Sequence, residues 1–153
     1  MARISKVGHV VLAVRDPEAS AKFYVEALGM ELMTFMPEFQ MAFLSFGTRD
    51  HDIALIKAPE GAPLGSQGLS HTALEIEGGE EELRQLYQRL LDHGARIEFT
   101  ADHGLSKSLY FFDPDGNRLE LFFPTMAPDN AMDFMKQGRA GLDPYELTPT
   151  PAS

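Results

Sequence analysis

The sequence predicts an α+β fold made of two tandem βαβββ modules, and two observations lead to this prediction. The first is an internal repeat, because the segment that starts near His9 and the segment that starts near His71 have the same order of features. Each copy begins with a short apolar strand carrying a histidine near its start, followed by a polar break, an amphipathic helix, a glycine and a new strand. The second is that three β-type segments follow the helix in each copy, which completes the βαβββ order twice.

The helix of the first copy is predicted from its capping residues and its periodicity. Asp16 is a good N-cap, and Pro17 occupies the first helical position, where its missing N–H costs nothing. Gly29 suits the left-handed conformation that ends many helices. Between these residues, apolar side chains recur at helical spacing, at Ala19, Phe23, Ala27 and Leu28.

Three β-type segments follow this helix, and a stretch rich in proline and glycine then separates the two copies. The predicted strands are Glu31–Met36, Gln40–Phe46 and Asp52–Lys57. The stretch Ala58–Gly68, which reads APEGAPLGSQG, has the composition of a linker.

The second copy repeats this order with its own helix and strands. Leucine and tyrosine recur at helical spacing before Gly94, and strands are predicted at Arg96–Phe99, Ser108–Phe112 and Arg118–Phe122. The segment DPDGN at residues 113–117 has proline and glycine where a tight turn favours them. The apolar stripe of the helix consists of Leu83, Leu86, Tyr87, Leu90 and Leu91.

From Pro124 onward the pattern weakens. Ala131–Lys136 is predicted as a short helix, and the final LDPYELTPTPAS as an irregular tail. This tail either covers the site or meets a partner subunit, and the sequence does not choose between the two roles. The predicted organisation is a first module at residues 1–58, a linker at 59–68, a second module at 69–124 and a C-terminal extension at 125–153.

The composition of the 153-residue chain excludes several kinds of site and partner. No cysteine is present, so disulfides, thiolate metal sites and cysteine nucleophiles are excluded, and histidine, carboxylate or carbonyl oxygen must hold any metal. A net charge of −10 repels nucleic-acid phosphates and anionic membrane surfaces. No long apolar segment is present and the N-terminus lacks a secretory signal, so cytoplasmic residence is the default expectation.

Three residues are candidate metal ligands: His9, His71 and Glu120. The two histidines occupy the same place in both copies, and Glu120 lies within RLELFF, where a buried carboxylate needs a metal or a hydrogen-bonded partner. A single histidine on a strand is more often a hydrogen-bonded core or surface residue, and a single glutamate is usually solvated. Position alone leaves these roles open. Taken together, however, two histidines and one carboxylate form a ligand set typical of non-haem iron(II).

Four motifs resemble the vicinal oxygen chelate superfamily, which includes glyoxalase I, bleomycin-resistance proteins and type I extradiol dioxygenases. They are GHVVLAV, DPEASAKFYVEALGMEL, LSHTALEI and, as the most specific, LSKSLYFFDPDGNRLELF. The resemblance covers residues 5 to 124. It implies that the two modules form an open, cup-shaped mixed sheet around a metal site, and it suggests a homodimer.

Within this superfamily the chain most resembles the type I extradiol dioxygenases. Glyoxalase I-like members take a fourth ligand, a glutamate, from the last strand of the first module, where this chain has Ala54. Three protein ligands leave open positions for a substrate and dioxygen. Extradiol dioxygenases also place two histidines and a tyrosine around the metal. His51 and Tyr110 match the first histidine and the tyrosine, whereas His103 resembles the second histidine but lies two residues closer to Tyr110 than expected.

The resemblance therefore implies an iron(II)-dependent dioxygenase that opens the ring of a catecholic substrate with dioxygen. His51 or His103 would move protons, and Tyr110 would donate a hydrogen bond to the substrate. Taken alone, each of the three has an ordinary explanation as a solvated, loop or core residue. Mn(II), Ni(II), Co(II) or Zn(II) are the alternatives to iron. Two other interpretations stay open, a glyoxalase-like metal-dependent isomerase or lyase and a non-catalytic small-molecule binding protein.

Overall fold

The computed structural model describes residues 7–65 and 69–150 of the chain. These residues form two compact units, one at residues 7–65 and one at residues 69–150. Residues 66–68 of the stretch predicted as a linker, and residues 151–153 of the tail, lie outside the described part. None of the helices in the described ranges is long and apolar enough to span a membrane.

The first unit is a four-stranded mixed sheet packed against one helix. Its elements in chain order are β1 (Val10–Val14), α1 (Pro17–Leu28), β2 (Glu31–Met36), β3 (Met41–Ser45) and β4 (Ile53–Lys57). The strands lie in the order β1-β4-β3-β2, with β1 parallel to β4 and the other neighbours antiparallel. Parallel pairing needs a long connection, which α1, β2 and β3 provide.

Helix α1 is capped at both ends by the predicted residues. The Asp16 carboxylate accepts hydrogen bonds from the N–H groups of Glu18 and Ala19 at 3.0 and 3.1 Å, and Pro17 is the first helical residue. At the other end, Gly29 has a φ of 74°. The helix packs on β2, β3 and β4. Fully buried side chains of α1 and these strands include Tyr24, Ala27, Leu44 and Leu55.

The second unit repeats this plan and extends it. Its elements are β5 (Thr72–Glu75), α2 (Glu80–Asp92), β6 (Arg96–Asp102), β7 (Ser106–Phe112), β8 (Arg118–Pro124), α3 (Pro128–Lys136) and β9 (Asp143–Pro144). The strand order is β5-β8-β7-β6-β9, with β5 parallel to β8 and the other neighbours antiparallel. The helix and the three strands after β5 therefore follow the same order as in the first unit.

Helix α2 buries less of its apolar stripe than the sequence predicts. Leu83 and Leu90, which are two turns apart, are fully buried, whereas Leu91 is 42% exposed. One residue of the helix turns the side chain by about 100°, so Leu91 points away from the face that Leu90 buries. The helix begins after Gly79, whose N–H donates to the Glu82 carboxylate at 2.8 Å. This bond lowers the pKa of Glu82.

The α+β class and the repeated βαβββ order are confirmed, with local differences at the ends of several elements, such as α3, which begins at Pro128 instead of Ala131. His9 and His71 each precede their strand by one residue instead of lying on it. Strand β6 continues to Asp102, and the tail predicted to be irregular contains β9, which pairs with the end of β6. Strand β6 is longer than predicted because β7 and β9 supply backbone hydrogen-bond partners on both of its sides. The local sequence propensity of β6 does not reveal such partners.

Candidate metal centre

The two units have matching positions on their parallel strand pairs. In the second unit, the residue two positions after His71 lies opposite Glu120 on β8. In the first unit, the residue two positions after His9 lies opposite Ala54 on β4. Ala54 therefore occupies in the first unit the position that Glu120 occupies in the second. This register agrees with the position assigned to Ala54 from the sequence.

Glu120 is held in a buried position by two polar partners. Its side chain is only 8% exposed, and the Ser108 hydroxyl donates a hydrogen bond to Oε1 at 2.6 Å. The other carboxylate oxygen, Oε2, lies 3.0 Å from His71 Nε2. The second ring nitrogen of His71, Nδ1, lies 3.2 Å from the Ser70 hydroxyl. Two of the three predicted ligands are thus in contact within one unit.

The His71–Glu120 pair fits a metal ion by its distance and by its chemistry. Two ligand atoms at right angles, each about 2.1 Å from one ion, are about 3.0 Å apart. The distance between His71 Nε2 and Glu120 Oε2 is 3.0 Å. A neutral imidazole nitrogen and an ionised carboxylate are donors that divalent transition metals accept. Metal binding to such a pair displaces the proton that the two atoms otherwise share.

Tyr110 lies directly beside Glu120 in the sheet. Strands β7 and β8 pair so that the two residues are opposite each other, and Phe99 stacks on the tyrosine ring with the centroids 4.5 Å apart. Burial of the phenol, followed by the nearby charge of Glu120, raises the pKa of Tyr110 to about 12. The hydroxyl therefore stays protonated at neutral pH and is able to donate a hydrogen bond.

His103 completes this cluster from the hairpin between β6 and β7. Its Nε2 lies 3.0 Å from the Tyr110 hydroxyl and 3.8 Å from Glu120 Oε1. Its Nδ1 lies 2.7 Å from the backbone carbonyl oxygen of Gly141. The second unit therefore brings four predicted site residues together: His71, His103, Tyr110 and Glu120.

The other two predicted site residues are neighbours in the first unit. The rings of His9 and His51 have centroids 4.6 Å apart, and Phe43 meets the His51 ring edge-on at 5.2 Å. His51 Nδ1 lies 2.6 Å from Asp50 Oδ2, and this hydrogen bond lowers the pKa of the Asp50 carboxyl. A carboxylate partner at one ring nitrogen sets the orientation of the other.

The three predicted ligands are divided between the units, with His9 in the first and His71 and Glu120 in the second. Within either unit, no group of three or more histidine, aspartate or glutamate side chains in residues 7–65 or 69–150 is arranged to hold a metal ion. The three-ligand metal site stays a prediction.

Ser108 and Gly141 are among the residues that contact the cluster and were not identified from the sequence. Ser108 lies two positions before Tyr110 on β7, so the alternation of side chains along a strand places both on the same face. That pattern was sufficient to find it. No local pattern points to Gly141, because it lies far from His103 in the chain and in a segment without periodicity.

Comparisons with known proteins converge on one family. The family model described as the Glyoxalase/Bleomycin resistance protein/Dioxygenase superfamily matches residues 6–121. Biphenyl-2,3-diol 1,2-dioxygenase 3 of Rhodococcus globerulus is 31% identical over 85% of this chain and 70% of its own length. Glutathione transferase FosA of Serratia marcescens is 30% identical over 81% of this chain and 84% of its own length.

A similar fold is found in the crystal structure of the fosfomycin resistance protein FosX from Listeria monocytogenes in complex with Mn(II) and sulfate. The alignment covers 81% of this chain and 94% of that chain, with a TM-score of 0.65. The sequence identity is 22%, so this likeness is one of fold. It agrees with the βαβββ order that both units of the present chain contain.

Proposed function

The chain belongs to the glyoxalase/bleomycin resistance protein/dioxygenase superfamily, and within it we propose that the protein is an iron(II)-dependent extradiol-type dioxygenase acting on a catecholic substrate. One observation carries this proposal: His71 and Glu120, whose side chains are of types that bind metals, are in contact beside two groups suited to proton transfer, Tyr110 and His103. Similarity to a biphenyl-2,3-diol dioxygenase supports the same activity.

We assign the metal ligands to His9, His71 and Glu120. Iron(II) held by these two imidazoles and one carboxylate would supply one net positive charge, open coordination positions and a route for electrons from a diol to dioxygen. A catechol that has lost one proton is a monoanion and would match that charge. Ala54, at the position equivalent to Glu120, has no side-chain donor atom and therefore adds no fourth ligand.

Three side chains have separate roles in hydrogen bonding and proton transfer. Tyr110 keeps its proton at neutral pH, because its pKa is raised to about 12, and it donates a hydrogen bond to a substrate oxygen. His103 Nε2, 3.0 Å from that hydroxyl, accepts the proton that the diol loses. His51, oriented by Asp50, is the second candidate for proton transfer.

A second candidate function is metal-dependent modification of a phosphonate such as fosfomycin. The similarity to FosA, which is 30% identical over 84% of its own length, favours it. A phosphonate carries more negative charge than a catecholate and requires cationic partners. Arg118, whose guanidinium lies 4.8 Å from the Tyr110 ring, is already paired with Glu98 at 2.6 Å. The cluster therefore suits a singly charged aromatic diol better.

Anaerobic loading with iron(II), followed by a panel of catechols with oxygen uptake recorded, tests the proposal. We expect oxygen uptake in step with the loss of catechol, together with a coloured ring-opened product. Absence of uptake across the panel, alongside turnover of fosfomycin with glutathione by the Mn(II)-loaded protein, would reject the dioxygenase in favour of the second candidate. Turnover of a hemithioacetal alone would instead indicate a glyoxalase-like isomerase.

A further inference from the structure

Residues 141–150, called the C-terminal strap below, are fastened along the second unit at several points. Strand β9 pairs with the end of β6. The Thr100 hydroxyl donates a hydrogen bond to the Tyr145 carbonyl. Arg84 Nε donates to the Thr148 carbonyl at 3.0 Å. The strap therefore has anchors on both the sheet and helix α2, and its path is defined by them.

At its start, the strap makes a two-way contact with His103. The Gly141 N–H donates to the His103 carbonyl at 3.3 Å, and His103 Nδ1 lies 2.7 Å from the Gly141 carbonyl oxygen. On the opposite side of the imidazole, Nε2 lies 3.0 Å from the Tyr110 hydroxyl. The ring is thus held at both of its nitrogens, one by the strap and one by the cluster around Glu120.

The chemistry of these partners determines which ring nitrogen carries the proton. A carbonyl oxygen has no hydrogen to donate, so the 2.7 Å contact with Gly141 requires a proton on His103 Nδ1. The neutral ring then has its lone pair on Nε2, which faces the Tyr110 hydroxyl at 3.0 Å. A ring released from Gly141 is able to carry its proton on Nε2 instead. In that tautomer Nε2 carries the proton and cannot accept a hydrogen bond or a proton.

We propose that the C-terminal strap is a positioning element of the active site, because its Gly141 carbonyl holds His103 in the tautomer whose Nε2 accepts protons. The inference rests on the proposed function. The strap lies outside residues 6–121, to which the family model corresponds. His103 also lies closer to Tyr110 along the chain than the resemblance predicts. One of the two ring contacts that orient this histidine therefore lies outside the two βαβββ modules.

A double variant, Thr100→Val with Arg84→Met, tests the proposal by removing two anchors without changing His103. Nitrogen NMR of the histidine rings in the metal-free protein reports which nitrogen carries the proton. We expect the Nδ1–H form in the wild type and a rise of at least about threefold in the Nε2–H form in the variant. In the iron-loaded variant, kcat should fall about tenfold, with KM and iron content changing less than about twofold.

Thr125→Val is the matched control, because it removes a hydroxyl-to-carbonyl hydrogen bond to Gly104 at 2.8 Å beside the same hairpin and leaves the strap anchored. A second test variant, Gly141→Pro, removes the N–H that bonds to the His103 carbonyl. An unchanged tautomer in both test variants overturns the proposal, and so does an equal change in the control.

His103→Asn retains a donor for the Gly141 carbonyl but loses Nε2. We expect His103→Asn to lower kcat about a hundredfold while the strap amides keep their protection from hydrogen exchange. If the strap amides lost that protection together with the activity, the contact between His103 and Gly141 would have only a structural role. That result would contradict the proposal. The NMR measurement requires neither iron nor substrate. A shift of tautomer without dioxygenase activity in any form of the protein would therefore contradict the proposed function and leave the role of the strap in orienting His103 intact.

Discussion

Glu120 is buried on strand β8, and a carboxylate in such a position is stable only when its oxygens have partners. Ser108 bonds to one oxygen, which leaves the other directed at His71. Hydrogen bonds of this kind orient a metal-ligating carboxylate and raise the affinity of the site. If Glu120 is a metal ligand, as we propose, the serine would act on metal binding through Glu120.

We predict that Ser108→Ala weakens binding of the metal, because Glu120 loses the donor that orients it. The affinity should fall about 10–100-fold, as for other residues that bond to metal ligands. Ser106→Ala, a buried serine two positions earlier on β7, is the matched control. Titration with a divalent metal, followed by calorimetry, measures both affinities. Equal affinities for the Ser108 and Ser106 variants would contradict this role of Ser108.

Tyr110 has a pKa raised to about 12 from its ordinary 10.0, chiefly because the phenol is buried. The folded protein therefore holds this proton more tightly than the unfolded chain. The resulting contribution to stability is present below pH 10 and is lost as the pH rises towards 12. Across the neutral range the side chain is a hydrogen-bond donor.

Tyr110→Phe removes this donor and preserves the ring that stacks on Phe99. We expect kcat to fall about 10–100-fold at neutral pH, with metal content unchanged, because a donor to the reacting oxygens is lost. An alkaline titration of tyrosinate absorbance on the metal-free protein checks the pKa, since the difference between wild type and variant should show a group ionising near pH 12. Ionisation near pH 10 would contradict the assignment.

Among the secondary-structure elements, the β7–β8 hairpin sets the geometry of the cluster. At its turn, Asp113 Oδ1 accepts hydrogen bonds from the N–H groups of Asp115 and Asn117 at 2.9 and 2.8 Å. A turn of fixed length fixes the register of the strands that it joins. In this register Tyr110 is opposite Glu120. A slip of β8 by one residue would turn Glu120 to the other face of the sheet, away from Tyr110.

The β6–β7 hairpin carries His103 and contacts α3 at Gly104. This glycine has a φ of +83°, and a Cβ atom there would lie 2.6 Å from the Phe134 ring. Gly138 also has a positive φ, +65°, but a Cβ atom at that position would have no neighbouring atom within 4 Å. Substitution of each glycine by alanine therefore distinguishes two losses of stability: backbone strain alone at Gly138, and backbone strain with a steric overlap at Gly104.

We expect Gly138→Ala to lower the free energy of unfolding by about 1–2 kcal/mol through backbone strain alone. Gly104→Ala should cost a further 1–3 kcal/mol or so, because the ring of Phe134 must move. Chemical denaturation of the two variants measures the difference. Equal losses would show that α3 does not rest on the hairpin that carries His103.

On the scale of the whole molecule, the net charge affects the metal binding that we propose. The chain has 23 acidic and 13 basic residues and a net charge of −10. The net charge therefore attracts a divalent cation to the protein as a whole, in addition to the attraction that the proposed ligands would exert. A ligand that binds only the folded state also stabilises it. The homodimer and the module boundaries expected from the sequence stay predictions.

Metal binding should raise the melting temperature of the protein, and a chelator should reverse the effect. At a metal concentration of about 100 times Kd the stabilisation is about 2.7 kcal/mol. For a chain of this size that corresponds to a rise in Tm of roughly 5–10 °C. His71→Ala and Glu120→Ala should abolish the rise. His93→Ala, at the end of α2, should not, because its Nδ1 bonds to the Arg89 carbonyl and it has no assigned role.

An undiminished rise in Tm for His71→Ala or Glu120→Ala, matched by an undiminished iron content, would reject the ligand assignment. The wild-type protein treated with chelator serves as the reference for both variants. The same scans without added metal report whether either substitution unfolds the chain. This comparison separates the loss of a ligand from the loss of the fold.

The sequence by itself determined the features that depend on neighbours along the chain. Helix α1 lies between Asp16 and Gly29 because capping and helical periodicity are set by local backbone geometry. The repeated βαβββ order follows from the same periodicities. The matched places of His9 and His71 followed from the repeat, and the register of the parallel strands agrees with them.

Only the tertiary structure decided which distant residues meet around these positions. It brings Ser108 to Glu120, and it brings the Gly141 carbonyl to His103. It also extends β6 by pairing it with β9. These contacts join segments that are remote in the chain, and they depend on strand register and burial. Local periodicity contains neither, because a strand has the same pattern of side chains whichever partner it pairs with.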